Sequence, residues 1–319
     1  MKAAIVVETG RTPVYGDFEE PVPAAGEARI EVRAAALYNL VKSRATGTHY
    51  SSSVQFPFVA GVDGVGRRDD GRRVYFVFPR APFGSMAEKS VVTTSQLVSL
   101  PDDLDDVTAA AIANPGMSSW VALKERAKLV AGEAVLVNGA TGTAGRLAVQ
   151  IAKHLGARRV VAIGRNAEAL KSLYSLGADE TILIGDGGDT FEQTVTEQFR
   201  RDGVDVVLDY LWGPTAERII VAAAKSDKDE LPTRFVHIGA VSATNLTLPG
   251  AALRASAISV MGSGIGSASR DRLMAALDGL MHAAVPAGFQ IETRTFPLAQ
   301  VEHAWATAPN RPRAVFQIP

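Results

Sequence analysis

Residues 134–157, AVLVNGATGTAGRLAVQIAKHLGA, join an apolar stretch to an amphipathic one through a cluster of glycines. A buried strand that ends on glycines and hands the chain to a helix opens a βαβ unit, and that connection builds a parallel sheet with helices on its faces. The second half of the chain repeats the alternation. Apolar runs at Ala134–Asn138, Arg159–Ile163, Glu180–Ile184, Val204–Tyr210, Thr233–Ile238 and Ala257–Met261 are separated by helical stretches such as Arg146–Leu155 and Ala167–Leu176. Six strands in this order predict a complete doubly wound α/β sheet.

The chain has 319 residues, more than that sheet needs. From Met1 to about Asp102 it reads differently: short extended runs (AAIVVE, ARIEVRAAAL, FPFVAGVDGVG, RRVYFVF, KSVVTT) are broken by Pro, Gly and Asp, which predicts a β-rich, barrel-like unit. The mixed charges of Arg67–Arg73 surround Gly71 as a solvated hairpin turn requires. After Gly266 a helix around Arg270–Ala283 and the extended pieces QIETRTFPL and RAVFQIP are read as returning to the first unit. The expected organisation is therefore 1–114 with 267–319, and 115–266.

Composition narrows the partners. With 47% hydrophobic and 21% charged residues the chain is globular, and a net charge of -1 gives no general attraction for nucleic acid or anionic lipid. There is no cysteine, which removes disulfides, thiolate metal sites and cysteine nucleophiles. The N-terminal MKAAIVVETG suits a first strand rather than a signal peptide, and no apolar stretch approaches a membrane span. The expectation is a cytoplasmic protein acting on a small molecule, with no nucleic-acid or membrane partner.

The glycine turn suits a dinucleotide. At Gly142 a side chain would block the backbone from a pyrophosphate, and at Gly145 it would hold helix and strand apart; Ala140 takes the place of the usual first glycine, and Thr141 completes the turn. The helix opens at about Thr143, Ala144 and Gly145, whose amides face the phosphates. The second strand ends in Gly164-Arg165-Asn166 and lacks the acid that accepts from the ribose in NAD sites. Gly164 leaves room, Arg165 can fork onto a 2′-phosphate, and Asn166 or Lys171 can add donors, so NADPH is the expected cofactor.

These residues carry a resemblance. Gly132-Glu133, Leu136, Ala140–Gly145, Gln150 and Lys153, with PFVAGVDGVG at Pro57–Gly66, PFGSMAE at Pro82–Glu88 and FPLAQVEHAW at Phe296–Trp305, resemble the zinc-independent quinone oxidoreductase branch of the medium-chain dehydrogenase/reductases. Thr141 and Thr143 depart mildly from the pattern. The resemblance implies a Rossmann domain, a GroES-like β-rich domain, a cofactor in the cleft between them and a homodimer paired along an edge strand near Ile258–Met261. It also implies a nicotinamide near Asn114–Ser118, Gly239-Ala240-Val241 and Met261–Gly264, including Gly262 and Ser263. Zinc-bearing relatives place a cysteine near the position of Tyr38 and a His-Glu pair at that of Val62-Asp63, so no zinc site is expected here.

Without a metal to hold an alkoxide, alcohol oxidation is disfavoured and acceptors that stabilise their own negative charge are favoured. The expected reaction is hydride transfer to a quinone or another electron-poor conjugated carbonyl. The alternatives are an enone or alkenal double-bond reductase and a low-turnover NADPH-binding sensor or structural protein. Tyr38 and Ser118 are the candidate catalytic contacts, with water an alternative acid; Ser43, His49 and Tyr50 are candidate pocket residues.

Overall fold

The computed structural model describes residues 1–47, 55–185, 189–226, 232–309 and 311–319. Among them no helix is long and apolar enough to cross a membrane. Contacts divide the chain into two units, Met1–Asn114 with Leu277–Pro319, and Pro115–Ala276. The first boundary lies within helix α2 (Asp106–Val121). The second lies within α8 (Arg270–Ala284), further along than residue 267, because one uninterrupted helix carries the chain across without any change of composition.

The second unit holds a six-stranded parallel sheet. Its strands are β9 (Ala134–Asn138), β10 (Arg159–Gly164), β11 (Glu180–Leu183), β12 (Val206–Asp209), β13 (Arg234–His237) and β14 (Ser259–Gly262), ordered β11-β10-β9-β12-β13-β14. These are the six apolar runs of the sequence, with ends moved by at most two residues. Every residue of β9 and β10 is buried, as expected for strands covered on both faces. Leu136, Val161, Val207 and Phe235 pack with Val195 and Phe199 of α5 (Asp189–Asp202) and Ile219 and Ile220 of α6 (Gly213–Ala224). Helix α3 (Thr143–His154) follows β9, burying Leu147, Ala148, Ile151 and Ala152. Helix α4 is only Ala167–Lys171, and a 3-10 turn at Tyr174–Leu176 completes the stretch that the pattern reads as one helix. Strand order reverses between β9 and β12, so the carboxyl ends of these two strands border the crevice where such sheets take ligands.

The first unit is β-rich. A three-stranded sheet runs β2 (Val14–Asp17), β1 (Lys2–Val6), β4 (Phe58–Val59). A seven-stranded sheet is built on the long β3 (Glu27–Leu37). Its path is β15 (Thr293–Pro297), β16 (Arg313–Gln317), β3, β5 (Asp63–Arg68), β6 (Arg73–Val77) and β8 (Leu97–Ser99), with β7 (Lys89–Thr93) also paired to β3. The charged run is a hairpin turn between β5 and β6, with Gly71 at φ +82° and Asp69 paired to Arg29 at 3.0 Å. Tyr38 leaves β3 in extended geometry and starts α1 (Asn39–Ala45).

Candidate cofactor and active site

Three glycines shape the turn after β9, each for a different reason. Gly139 has φ +88°, a conformation that a side chain disfavours, so it makes the tight turn that the sequence reading assigns to the position of Ala140. Ala140 is fully buried, and its amide donates to Ile163 O at 2.8 Å. A Cβ on Gly145 would collide with Gly139 O and lie 2.6 Å from Ala140 Cα, so this glycine lets α3 sit against the turn. A Cβ on exposed Gly142 would meet only Gly139 O, at 3.6 Å. The protein itself leaves space above Gly142. The first helical bond runs from Arg146 N to Gly142 O, 2.9 Å, which puts Thr143, Ala144 and Gly145 in the opening turn, where amides have no acceptor within the helix.

At the end of β10 the reasons differ from those in the sequence reading. Gly164 is buried, and a Cβ there would lie 2.6 Å from Thr141 Cγ2, so packing of the protein against itself already calls for a glycine here. Arg165 is exposed and pairs with no described residue. Asn166 spends its side-chain oxygen capping α4 through Ala169 N, 2.9 Å, and Lys171 is paired with Glu168 at 2.8 Å.

The later strands end close together. Gly239 follows β13, with its amide on Asp209 O, and Ala240 and Val241 are exposed beyond it. Gly262 ends β14, Ser263 N donates to His237 O at 2.8 Å, and Gly264 N donates to Ser267 Oγ at 2.8 Å. In α2, half-buried Asn114 precedes Pro115, and Ser118 Oγ donates to Pro115 O at 2.8 Å.

A row of polar residues that the sequence reading overlooks crosses these strand ends: Asn138, Asp209 and His237 are in register on β9, β12 and β13. Fully buried Asp209 accepts from Asn138 Nδ2 at 2.7 Å and from the amides of Leu211 and Trp212 at 3.1–3.2 Å. These bonds hold Trp212 at φ +60°, unfavourable for a side-chain-bearing residue, with its indole in tilted contact with the His237 ring, centroids 4.1 Å apart. One Asp closing an apolar run gives little sign of this role in sequence.

In the first unit, Tyr38 is 5% exposed and its hydroxyl donates to Asp63 Oδ2 at 2.6 Å; the hydroxyl of Tyr75 donates to the same oxygen at 2.6 Å. The guanidinium of Arg313 lies over the Tyr38 ring at 5.4 Å and donates to Leu37 O. Burial lifts the Asp63 carboxyl to about 6, with both phenols and Arg313 opposing that rise. Burial and the facing carboxylate push both phenols well above their usual value. The phenol of Tyr38 is thus directed at a buried carboxylate. Ser43 is half-buried and donates to Leu40 O at 3.1 Å, while His49 and Tyr50 lie outside the described residues.

Residues 144–280 match the family model described as zinc-binding dehydrogenase. Over its full length the chain is 29% identical to a probable NADPH-dependent quinone reductase, tdiC, of Emericella nidulans, and the alignment covers 100% of both proteins. It superposes on the crystal structure of the quinone oxidoreductase of Thermus thermophilus with a TM-score of 0.81 and 26% identity, covering 100% of each. In sequence and in fold the chain is similar to the quinone reductase branch of the medium-chain dehydrogenase/reductase superfamily. A quinone oxidoreductase of Pongo abelii is 29% identical over 222 residues, 66% of this chain and 66% of that protein.

The zinc in that family description does not fit the residues present. Val62 offers no ligand, and Tyr38 and Asp63 are bonded to each other. Among the described residues no three His, Cys, Asp or Glu side chains converge as a metal site.

Proposed function

We propose that this protein is an NADPH-dependent, metal-independent reductase that passes hydride to a quinone or another electron-poor conjugated carbonyl. The observation that carries this reading is the pair Gly142 and Gly145. Gly145 is required by packing of the protein against itself, and Gly142 faces open space that a pyrophosphate would fill. The amides of Thr143, Ala144 and Gly145 hold the pyrophosphate, and exposed Arg165 forks onto the 2′-phosphate. The backbone at Gly239-Ala240-Val241 and Gly262-Ser263-Gly264, with Asn114 and Ser118, lines the nicotinamide. When bound, NADPH supplies the hydride, and this chain supplies binding, orientation and exclusion of water.

The proton that follows comes from water in this reading, because the Tyr38 phenol is engaged by Asp63 and burial makes it a weak acid. Tyr38 acts by holding the start of α1 in place. A second copy adds along β14, an edge strand on which Val260 is 38% exposed, to form a homodimer.

A side-by-side screen of quinones and enones, followed by loss of NADPH absorbance, tests the acceptor. Turnover is expected with quinones. Turnover confined to enones identifies a double-bond reductase, and tight NADPH binding without any turnover identifies a sensor. For the cofactor, Arg165→Ala is expected to weaken NADPH binding about tenfold and leave NADH binding nearly unchanged, the worth of one exposed charge-assisted pair. Equal losses for the two cofactors by calorimetric titration would contradict the role given to Arg165.

A further inference from the structure

Resting on the NADPH reading above, three of the segments given to the cofactor converge on one buried tyrosine. In sequence Tyr210 only closes the fourth apolar run. In the structure it is the residue after β12, at the crevice where strand order reverses, and it is 8% exposed. Its amide donates to Asn138 O at 3.1 Å, which ties it to the end of β9, and a Cβ on Gly139 would lie 3.3 Å from its own Cβ. On the other side its carbonyl accepts from Val241 N at 3.4 Å. Gly239 comes so near that a Cβ there would stand 3.1 Å from the same carbonyl oxygen.

The side chain reaches α2. Tyr210 Oη and Ser119 Oγ, both buried, are 2.7 Å apart. Ser119 Oγ also lies 3.1 Å from Pro115 O, and Ser118 Oγ donates to that carbonyl at 2.8 Å. A serine has one proton to give, so with that of Ser119 directed at Pro115 O the phenol is the donor to Ser119. Burial pushes the phenol up, against the opposing hydroxyls of Ser119 and Ser118, and it keeps its proton at neutral pH. This turn of α2 gains from an outside bond, because Pro115 lies inside the helix and has no amide for the helical ladder. We infer that Tyr210 is a positioning residue for the nicotinamide half of the cofactor, holding the Pro115–Ser119 turn of α2 through its hydroxyl and the Gly239-Ala240-Val241 backbone through its carbonyl. Ser118 belongs to the turn so held. The adenosine half, given to Arg165 and the opening of α3, does not depend on this hydroxyl.

The test is calorimetric titration of two ligands, NADPH and 2′,5′-ADP, the second of which carries the 2′-phosphate but no nicotinamide. They are titrated into the wild-type protein and the Tyr210→Phe, Ser119→Ala and double variants. Phenylalanine keeps the ring in its buried place and removes only the bond, and Ser119→Ala removes the same bond from its other end. Each single variant is expected to weaken NADPH about tenfold and the double variant no more than either, with 2′,5′-ADP within about twofold of wild type throughout. NADPH affinity unchanged in Tyr210→Phe, equal losses for the two ligands, or losses that multiply in the double variant would overturn the assignment of Tyr210 while leaving the NADPH reading in place. A wild-type protein that binds neither ligand would overturn that reading and this assignment together.

Discussion

Gly145→Val is expected to weaken NADPH binding by about a hundredfold or more and to lower the stability of the fold. The added carbons have nowhere to go: even the Cβ would overlap Gly139 O and stand 2.6 Å from Ala140 Cα, in a turn whose amides are fixed by bonds to β10. Overpacking of this kind costs about 1–3 kcal/mol. Relief requires α3 to move off the turn, and a displacement of about 1 Å at a binding centre is enough for losses near a hundredfold. Gly142→Ala provides the contrast. Its Cβ would meet only Gly139 O at 3.6 Å, so the protein should unfold at nearly the wild-type temperature while its affinity for NADPH falls. Thermal unfolding and cofactor titration on both variants separate the two roles. Unchanged stability in Gly145→Val, or unchanged affinity in Gly142→Ala, would contradict the geometry of the turn.

Asp63 should make stability depend on pH in a direction opposite to that of a salt-bridged carboxylate. Its folded-state value is raised from the ordinary 3.8 to about 6, chiefly by burial. Between those limits the folded protein holds a proton that the unfolded chain has released, so stability falls as pH rises from about 4 to about 6 and stays lower above that. A shift of about two units corresponds to about 3 kcal/mol. Asp63→Asn has no such titration. Denaturant unfolding at several pH values should therefore show the variant gaining on the wild type by up to about 3 kcal/mol between about pH 4 and pH 7. A difference that is flat with pH would contradict the buried, titrating carboxylate. Tyr38→Phe and Tyr75→Phe each remove one of the two bonds to Asp63 Oδ2 and should raise its value further, moving the fall to higher pH.

The sheet of the second unit was legible because parallel strands buried on both faces are written as unbroken apolar runs, and β9 begins and ends where its run does. The glycine turn was legible in part. Gly142 and Gly145 follow from spacing, but the tight turn belongs to Gly139, whose positive φ has no mark in the motif. Gly164 reads in sequence as room for a ligand, and its packing against Thr141 has no mark there, because Thr141 comes from another strand's turn. That Val62-Asp63 stands in place of a His-Glu pair could be read from the sequence. That Tyr75 and Arg313 join Tyr38 around Asp63 could not be read, because β6 and β16 come from distant parts of the chain and meet only in the sheet. Asp209 escaped notice for a similar reason. Its partners are a strand neighbour, Asn138, and the backbone of a strained turn, and neither leaves a pattern in sequence.

Metal-independent hydride transfer from NADPH is tested most directly by following NADPH absorbance with a quinone acceptor in protein dialysed against a strong chelator. The expected result is saturable oxidation of NADPH at the same rate before and after chelation, with zinc adding nothing. Activity that disappears on chelation and returns with zinc would contradict it, as would the absence of oxidation with every quinone and enone tried.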